Sequence, residues 1–264
     1  MRLMQTMAGA RHGGAEAFFE RLACALARRG IDQTVVIRSE PRREAVLAGD
    51  EVVVETQPFG GYFDFTTSRG LRRLIEAQRP DVVLSWMNRA TRATRRARQG
   101  CKASFVHVAR LGGYYDIAYY KGCDHLVGNT PDIVDYLVRE GWPAERAHYL
   151  PNFVDAKSLP AIPRETLDTP RDAPLIVAMG RLHENKGFDV LLDAMASLPE
   201  HYLWLAGEGP LRGALQSQAA ELGVTKRVRF LGWRDDVAAL LAAADVFVCS
   251  SLWETTEYLV YPRS

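Results

Sequence analysis

Residues 173–187 read APLIVAMGRLHENKG, an apolar run of strand length followed by a turn that carries Arg181 and Lys186. Such a run, followed by a turn and a helical pattern, predicts a buried strand of a parallel sheet. Ligands of these sheets bind beyond the carboxyl ends of the strands, where this turn lies. A guanidinium beside an ammonium there predicts an anionic ligand, and a diphosphate fits both groups. The alternative is a solvated loop whose cations pair with Glu184 or Asp189.

The same alternation of strand and helix extends in both directions along the chain. It predicts βαβ units, parallel sheets and an α/β fold class. The segment that begins at Thr130 is typical of the helices, because Thr130 can cap it, Pro131 takes its first position and Gly141 ends it. The predicted strands cover residues 2–8, 33–38, 51–56, 81–86, 103–108, 125–129, 147–151, 175–180, 202–207, 227–232 and 245–251.

The pattern stops over residues 156–173, which are rich in proline and show no clear period. This composition is typical of a linker. The sequence therefore predicts an N-terminal Rossmann-like domain over residues 1–155, a linker over 156–173, and a second, incomplete Rossmann-like domain over 174–264.

Composition excludes several classes of protein. With 33 basic and 32 acidic residues the net charge is +1, which gives no sign of general nucleic-acid binding. The four cysteines form no CxxC pair, which argues against a zinc knuckle or a disulfide framework and fits a reducing cytoplasm. No segment has the length and apolar character of a signal peptide or of a membrane span, so we expect a cytoplasmic protein.

A second glycine-rich turn follows the first predicted strand. Gly13 and Gly14 open a helix there, so that backbone N–H groups can approach an anion at the positive end of the helix dipole. The turn is not a dinucleotide fingerprint, because GxGxxG is absent and Arg38 stands after strand two, where a ribose would need an acid. A tight strand-to-helix turn without a ligand is the alternative.

Two further turns at strand ends carry candidate binding residues, with Glu208 between two glycines in one and Gly232 and Trp233 in the other. The backbone near Gly232 and Trp233 could meet a flat base, although ordinary packing of the indole fits equally well. Asp235 and Asp236 are interpreted as N-capping residues at a helix start, and no metal site is expected.

Two features of the first half are candidate contacts for a substrate other than the anionic ligand expected at Arg181 and Lys186. His107, placed by the pattern at the end of a strand, could hydrogen-bond a substrate or act as a base, or it could be structural. In the arginine-rich helix that follows strand four, steps of three and four put Arg89, Arg92 and Arg96 on one face. That face could contact an anionic membrane or a phosphorylated glycolipid, or it could simply be solvated.

Six motifs in this order resemble those of the family 4 retaining glycosyltransferases, which have the GT-B fold. They are HGGAE (12–16), LPNFVD (150–155), GRLHENKGFDVLLDA (180–194), LAGEGP (205–210), FLGWRDDV (230–237) and ADVFVCSSLWE (244–254). The resemblance implies two Rossmann-like, doubly wound domains that face a cleft. It also implies transfer of a sugar from a UDP- or GDP-sugar to an acceptor hydroxyl with retention, without a metal or a cofactor. The product would be lipopolysaccharide or another cell-envelope glycan, the acceptor a glycan or glycolipid, and the site of action the inner face of the membrane.

The resemblance also assigns roles to residues of this sequence. Arg181 and Lys186 resemble the family's diphosphate-binding pair, and Gly13 and Gly14 resemble the loop that closes over the donor phosphates. His107 falls where the family often has a cleft histidine near the donor sugar. Glu254 matches the first of two glutamates, the one that usually contacts the donor sugar.

The second glutamate of that pattern, which usually holds the ribose hydroxyls, would fall at position 262, where this sequence has Pro262. The family pattern also stops soon after Glu254, so the chain resembles a C-terminally truncated member. One expectation is therefore an active glycosyltransferase, and the other is a non-catalytic remnant that binds nucleotide weakly or binds only a protein partner. An NAD-dependent oxidoreductase is a third reading, which lacks its fingerprint.

Overall fold

A computed structural model describes residues 1–11, 13–61, 64–154 and 159–252 of the chain. These residues form two compact units that divide between residues 154 and 159. Each unit has one sheet, in which all neighbouring strands run parallel.

The first unit contains a seven-stranded sheet in the order β3-β2-β1-β4-β5-β6-β7. Its strands are β1 (Arg2–Met7), β2 (Asp32–Ile37), β3 (Val53–Thr56), β4 (Val82–Trp86), β5 (Val106–Leu111), β6 (His125–Gly128) and β7 (Ala147–Tyr149). The chain winds outward from β1 to β3 and then returns to place β4 on the other side of β1. This reversal creates a topological switch point, where doubly wound sheets bind ligands beyond the carboxyl ends of the strands.

Five helices connect these strands: α1 (Gly14–Arg28), α2 (Pro41–Gly49), α3 (Phe65–Gln78), α4 (Met87–Arg98) and α5 (Pro131–Arg139). Local sequence explains where several begin. The Thr130 hydroxyl accepts from the Ile133 amide at 3.1 Å at the start of α5, as the sequence predicts. Asp64 caps α3 in the same way, by accepting from the Thr67 amide at 3.0 Å.

The two faces of the first sheet are covered by different helices. On one face Phe18 and Phe19 of α1 pack against Trp86 at the end of β4. On the other face Leu71 of α3 and Ala90 of α4 belong to a separate buried cluster. Burial on both faces explains why the strands read as nearly continuous apolar runs.

The second unit contains a four-stranded sheet in the order β10-β9-β8-β11. Its strands are β8 (Leu175–Met179), β9 (Tyr202–Ala206), β10 (Val228–Gly232) and β11 (Val246–Phe247), and its helices are α6 (Phe188–Ala196), α7 (Arg212–Glu221) and α8 (Val237–Ala243). Short 3₁₀ turns complete the described chain at Ile117–Tyr120, Ala144–Arg146, Arg164–Leu167, Glu184–Lys186 and Thr225–Arg227.

Residues 159–173, expected to form part of a linker, pack against the second unit. The Ile162 amide donates to the Ala239 carbonyl at 3.3 Å, and the Trp204 indole donates to Thr169 at 2.9 Å. Arg164 donates to the Ala243 carbonyl and pairs with Asp245 at 3.0 Å. Apart from the 3₁₀ turn at Arg164–Leu167 this stretch has no regular period, because single contacts attach it to α8 and to β9.

Within the described ranges, none of the helices is both long enough and apolar enough to cross a bilayer.

Candidate functional site

The loops that follow β8, β9 and β10 meet at the carboxyl edge of the second sheet. The Gly180 amide donates to the Ala206 carbonyl at 3.0 Å, and the Gly207 amide donates to the Gly232 carbonyl at 2.7 Å. One loop further on, the Leu182 amide donates to the Glu208 carbonyl at 3.0 Å. The three loops therefore form one continuous backbone surface.

Two glycines make this close approach possible. A Cβ at Gly207 would overlap the carbonyl oxygen of Gly180, and a Cβ at Gly209 would overlap that of Leu182. Gly207 also has a φ of +144°, which side-chain-bearing residues rarely adopt. The glycines of the LAGEGP motif are thus required by the neighbouring backbone, which sequence inspection alone does not reveal.

Arg181 lies on this surface with its side chain exposed. Among the residues that the structure describes, no side chain or carbonyl forms a hydrogen bond or ion pair with its guanidinium. The alternative reading, in which Arg181 pairs with Glu184 or Asp189, therefore has no support in these contacts. An unpaired guanidinium beside a strand end can accept an anion in bidentate geometry.

Lys186 folds back over the end of the same strand. A Cβ at Gly180 would lie 3.5 Å from Lys186 Cδ and 3.6 Å from Cε, so the aliphatic stem of Lys186 covers this glycine. Lys186 is half-buried. The structure thus brings Arg181 and Lys186 to one place on the sheet edge, together with the first turn of α6.

The turn into α6 depends on Gly187 and on the chain that follows β11. Gly187 has a φ of +57°, and a Cβ there would overlap the Ser250 carbonyl oxygen. The Ser250 hydroxyl donates to the Lys186 carbonyl at 2.8 Å, and the Leu252 amide donates to the Asn185 carbonyl at 3.0 Å. Ser250 is therefore a supporting residue that the sequence analysis missed. Glu254, predicted to contact the donor sugar, and position 262 lie outside the described residues.

Glu208 and Gly232 have structural partners in this arrangement. The Glu208 carboxylate pairs with Arg212 at 3.0 Å, and Arg212 in turn donates to the Phe230 carbonyl at 3.3 Å. Gly232 ends β10 with a φ of +70°, and a Cβ there would lie 2.8 Å from Glu208 Oε1. Trp233 follows at the surface, and its indole donates to Asp235 at 3.1 Å. Glu208, Gly232 and Trp233 therefore lie beside the strand ends that carry Arg181.

The interpretation of Asp236 as an N-capping side chain is wrong. α8 begins after Asp236, whose side chain makes no cap hydrogen bond, and the Asp235 carboxylate accepts from the Trp233 indole. Asp236 instead accepts from Arg234 at 2.6 and 2.8 Å, which also lowers the pKa of its carboxyl group. A neighbouring guanidinium competes with the backbone amides for both carboxylate oxygens.

The glycine-rich turn of the first unit lies at the switch point between β1 and β4, and buried charges hold it. The Glu16 carboxylate accepts from the Ala10 amide at 2.7 Å, and a Cβ at Gly13 would overlap the Glu16 side chain. A Cβ at Gly14, the first residue of α1, would have nothing within 4 Å among the described residues, so the space beside this glycine is open.

Two arginines hold this turn by donating hydrogen bonds to its backbone carbonyls. Arg38 donates to the carbonyls of Ala8 and Gly9 at 3.0 and 2.9 Å. Arg43, which is buried, donates to the Ala10 carbonyl at 2.8 Å and pairs with Glu20 at 3.0 Å. Their role could not be found from sequence spacing, because α2 must dock against α1 before Arg43 reaches the turn.

The placement of His107 at a strand end is wrong. β5 begins at Val106, because this residue pairs with Val82 of β4, so His107 is near the amino end of the strand. Its side chain is completely buried, and Nε2 lies 2.9 Å from the Ser85 hydroxyl. Burial, helped by the nearby charges of Arg98 and Arg95, lowers the pKa of His107 to about 4. His107 therefore has a structural environment and does not face the carboxyl edge.

The carboxyl end of β5 carries Arg110, which the sequence analysis did not single out. Arg110 is 3 % exposed, and its Cζ lies 4.5 Å from the ring centre of Phe18 and 4.9 Å from that of Trp86. Its Nη2 donates to Asn152 Oδ1 at 2.5 Å and to the Leu150 carbonyl at 3.5 Å. The only sequence signal was an arginine among apolar residues of a strand.

The arginines of α4 divide between two surfaces. Arg89, Arg92 and Arg96 line one small hollow beside Gly60 and Gly61, as their spacing predicts. Arg96 also lies over the Phe65 ring at 5.6 Å. A wider cleft of about 670 Å³ shares Arg96 with that hollow and is lined by the end of the helix and the turn before β6: Arg95, Arg96, Arg98, Gln99, Lys121, Gly122, Cys123 and Asp124.

Comparison with known proteins places both units in one family. Residues 13–152 match the model of the glycosyl transferase 4-like domain, and residues 173–261 match that of the glycosyl transferases group 1. The chain is 38 % identical over 248 residues to the lipopolysaccharide core biosynthesis glycosyltransferase LpsE of Rhizobium meliloti, and 35 % identical to LpsD of the same organism. These alignments cover 92 % of this chain, 70 % of LpsE and 69 % of LpsD.

Solved structures share the fold at low sequence identity. Anabaena Alr3699/HepE, in complex with UDP and glucose, has a TM-score of 0.78 at 20 % identity, over 94 % of this chain and 73 % of HepE. WaaG, a glycosyltransferase of lipopolysaccharide biosynthesis, has a TM-score of 0.69 at 17 % identity, over 97 % of this chain and 76 % of WaaG. The motifs, the two Rossmann-like sheets and these matches agree, and the chain belongs to the group 1 glycosyltransferases of the GT-B fold, which use nucleotide-sugars as donors.

Proposed function

We propose that this glycosyltransferase moves a sugar from a UDP- or GDP-sugar to a hydroxyl of a cell-envelope glycan, with retention of anomeric configuration. The relatives LpsE and LpsD are named for lipopolysaccharide core biosynthesis, and HepE is in complex with UDP. Those names support a lipopolysaccharide-type acceptor and a UDP-linked donor for this chain.

The observation that carries the proposal is the exposed guanidinium of Arg181, which has no partner among the described residues. It lies beside Lys186 and before the first turn of α6, whose N–H groups carry a partial positive charge. Together these groups can hold the diphosphate of a donor. As the bond from the sugar to the diphosphate breaks, negative charge grows on the leaving oxygen, and the same groups stabilise it.

Charge neutralisation by side chains also supports a reaction that needs no metal ion. Arg181 and Lys186 can supply two positive charges where metal-dependent transferases place a divalent cation. Retention would follow from attack on the face that the diphosphate leaves, with the departing phosphate accepting the proton of the acceptor hydroxyl. His107 is not proposed as a base, because it is completely buried and its pKa is near 4.

The arginine face of α4 is proposed to hold the enzyme at the inner surface of a membrane that carries its acceptor. Arg89, Arg92 and Arg96 share one hollow, and a wider basic cleft lies along the same helix. Clustered cations of this kind gain about 1 kcal/mol each near an anionic bilayer.

The donor site can be tested by isothermal titration of UDP and GDP and by transfer assays with labelled UDP-sugars on a lipopolysaccharide core acceptor. We expect Arg181→Ala to weaken nucleotide diphosphate binding at least tenfold and to lower transfer by more than that. The matched control is Arg171→Ala, which removes another exposed arginine outside the strand ends. Equal affinities of wild type and Arg181→Ala would refute the site, and the absence of transfer from any nucleotide-sugar would refute the activity.

A further inference from the structure

Arg110 is a buried cation at the ligand-binding edge of the first sheet. It stands one position before the end of β5, opposite Trp86, the last residue of β4. β4 lies beside β1 at the switch point, where doubly wound sheets bind their ligands. The Phe18 ring that covers the guanidinium belongs to α1, the helix that Gly13 and Gly14 open.

The described residues around Arg110 do not neutralise its charge. Both of its hydrogen-bond acceptors, Asn152 Oδ1 and the Leu150 carbonyl, are uncharged, and the second bond is long at 3.5 Å. Its Nε is buried and has no acceptor among the described residues. Burial lowers the pKa of Arg110 to about 10, with no contribution from a charged neighbour.

Other arginines of this protein show what a satisfied guanidinium looks like. The buried Arg43 has the Glu20 carboxylate and the Ala10 carbonyl as partners. Arg227 has no carboxylate, but it donates to three carbonyls, those of Met195, Leu198 and His201. Arg110 has neither arrangement. A buried guanidinium without a counter-ion destabilises the folded protein, and none of the described residues supplies that counter-ion, so a bound anion would offset the cost.

We propose that Arg110 is the base of an oxyanion-binding subsite in the first unit, which takes a phosphate or carboxylate group of a substrate. The Phe18 and Trp86 rings pack against the guanidinium, with ring centres 4.5 and 4.9 Å from Cζ, and its buried Nε has no acceptor among the described residues. This inference rests on the proposed transfer reaction, whose substrates would supply the anion. It is either an acidic group of the acceptor or the diphosphate of the donor, and the two sources can be separated by experiment.

The test measures binding to the 264-residue chain by isothermal titration at constant ionic strength. The probes come in matched pairs: galacturonate with galactose, glucose 6-phosphate with glucose, and UDP with uridine. We expect at least one acidic probe to bind wild type at least tenfold more tightly than its neutral partner, and Arg110→Met to remove this preference. If galacturonate or glucose 6-phosphate binds Arg110→Met more weakly than wild type, the anion belongs to the acceptor. If UDP binds Arg110→Met more weakly, the anion belongs to the donor.

Stability separates a binding role from a structural one. Arg110→Met keeps the volume between the two rings and removes the buried charge, so we expect its thermal midpoint without ligand to stay within a few degrees of wild type. Arg227→Met, which removes three carbonyl bonds, should lower the midpoint clearly. Arg110→Lys keeps the positive charge but lacks the planar guanidinium. We expect it to bind the same acidic probe several-fold more weakly than wild type. This variant provides the test if Arg110→Met does not fold.

The inference is overturned if no acidic probe is preferred by wild type, or if Arg110→Met and Arg110→Lys bind the probes as wild type does. Arg181→Ala distinguishes this outcome from failure of the proposed function. One outcome is that Arg181→Ala loses UDP binding while the Arg110 variants bind galacturonate and glucose 6-phosphate as wild type does. This outcome refutes the subsite and leaves the donor site intact. Binding of sugar acids that depends on Arg110, in a protein that binds no nucleotide, supports the subsite and refutes the proposed function.

Discussion

Lowering the pH from 8 to 5 is expected to destabilise the first unit through His107. Burial is the main reason why the pKa of this completely buried side chain falls from 6.5 to about 4. The unfolded chain therefore binds a proton near pH 6.5 that the folded chain does not bind until about pH 4. Stability that is present above pH 6.5 is lost as the pH falls through this window, because the unfolded state takes up more protons.

The size of the effect follows from the two pKa values. A difference of one pKa unit corresponds to about 1.4 kcal/mol, so the gap between 6.5 and about 4 limits the total loss to about 3.4 kcal/mol. At pH 5 the histidine of the unfolded chain is almost fully protonated while that of the folded chain is mostly neutral. The loss of unfolding free energy between pH 8 and pH 5 is then about 2 kcal/mol from this residue alone.

The assay is urea unfolding of wild type and His107→Gln at pH 8, 7, 6 and 5, followed by circular dichroism. Glutamine can still bond to the Ser85 hydroxyl but has no proton to gain in this range. We expect wild type to lose about 2 kcal/mol more than His107→Gln between the extremes. Equal losses in wild type and His107→Gln would refute the reasoning.

Three other changes have expected outcomes. Gly207→Ala should lower the thermal midpoint by several degrees, because its Cβ would overlap the Gly180 carbonyl. The control is Gly213→Ala in α7, whose Cβ would have nothing within 4 Å; it should raise the free energy of unfolding by about 0.5–1 kcal/mol. Chelation with EDTA should leave the transfer rate within about twofold of the untreated rate, since side chains supply the positive charge; a loss that Mg²⁺ restores would contradict this. Arg89→Gln with Arg92→Gln should weaken sedimentation with phosphatidylglycerol vesicles by about thirtyfold, at about 1 kcal/mol per cation; unchanged sedimentation would contradict membrane contact through α4.

The fold could be predicted from the sequence because each strand carries its own local signal. Apolar runs such as residues 175–180 are long enough for a buried strand, and glycine or a capping residue stands at most helix boundaries. Arg181 and Lys186 could be found for the same reason: a cation that follows a strand has a known position on the sheet. The structure places both beside the strand end, although their role in binding remains a prediction.

The errors arise where tertiary contacts override the local pattern. The start of β5 is fixed by the pairing of Val106 with Val82, and not by the apolar run that begins earlier in the sequence. His107 therefore lies near the amino end of the strand and not at its carboxyl end, where it was expected. Asp236 has the position of a capping residue, yet the guanidinium of Arg234 takes its oxygens. Arg110 could not be recognised at all, because its lack of a counter-ion within the described ranges is defined by neighbours that are distant in the sequence.

The chain between the two units has a further consequence. On one side, Arg110 and a ring contact of Phe153 with Phe18 attach residues 150–153 to the first unit, and on the other side Ile162 and Arg164 attach the chain to the second. A gene cut between codons 154 and 159 would therefore give two fragments, each with its own sheet and core. Each fragment would keep the hydrogen bonds and ring contacts named here, because each of them is made within one unit.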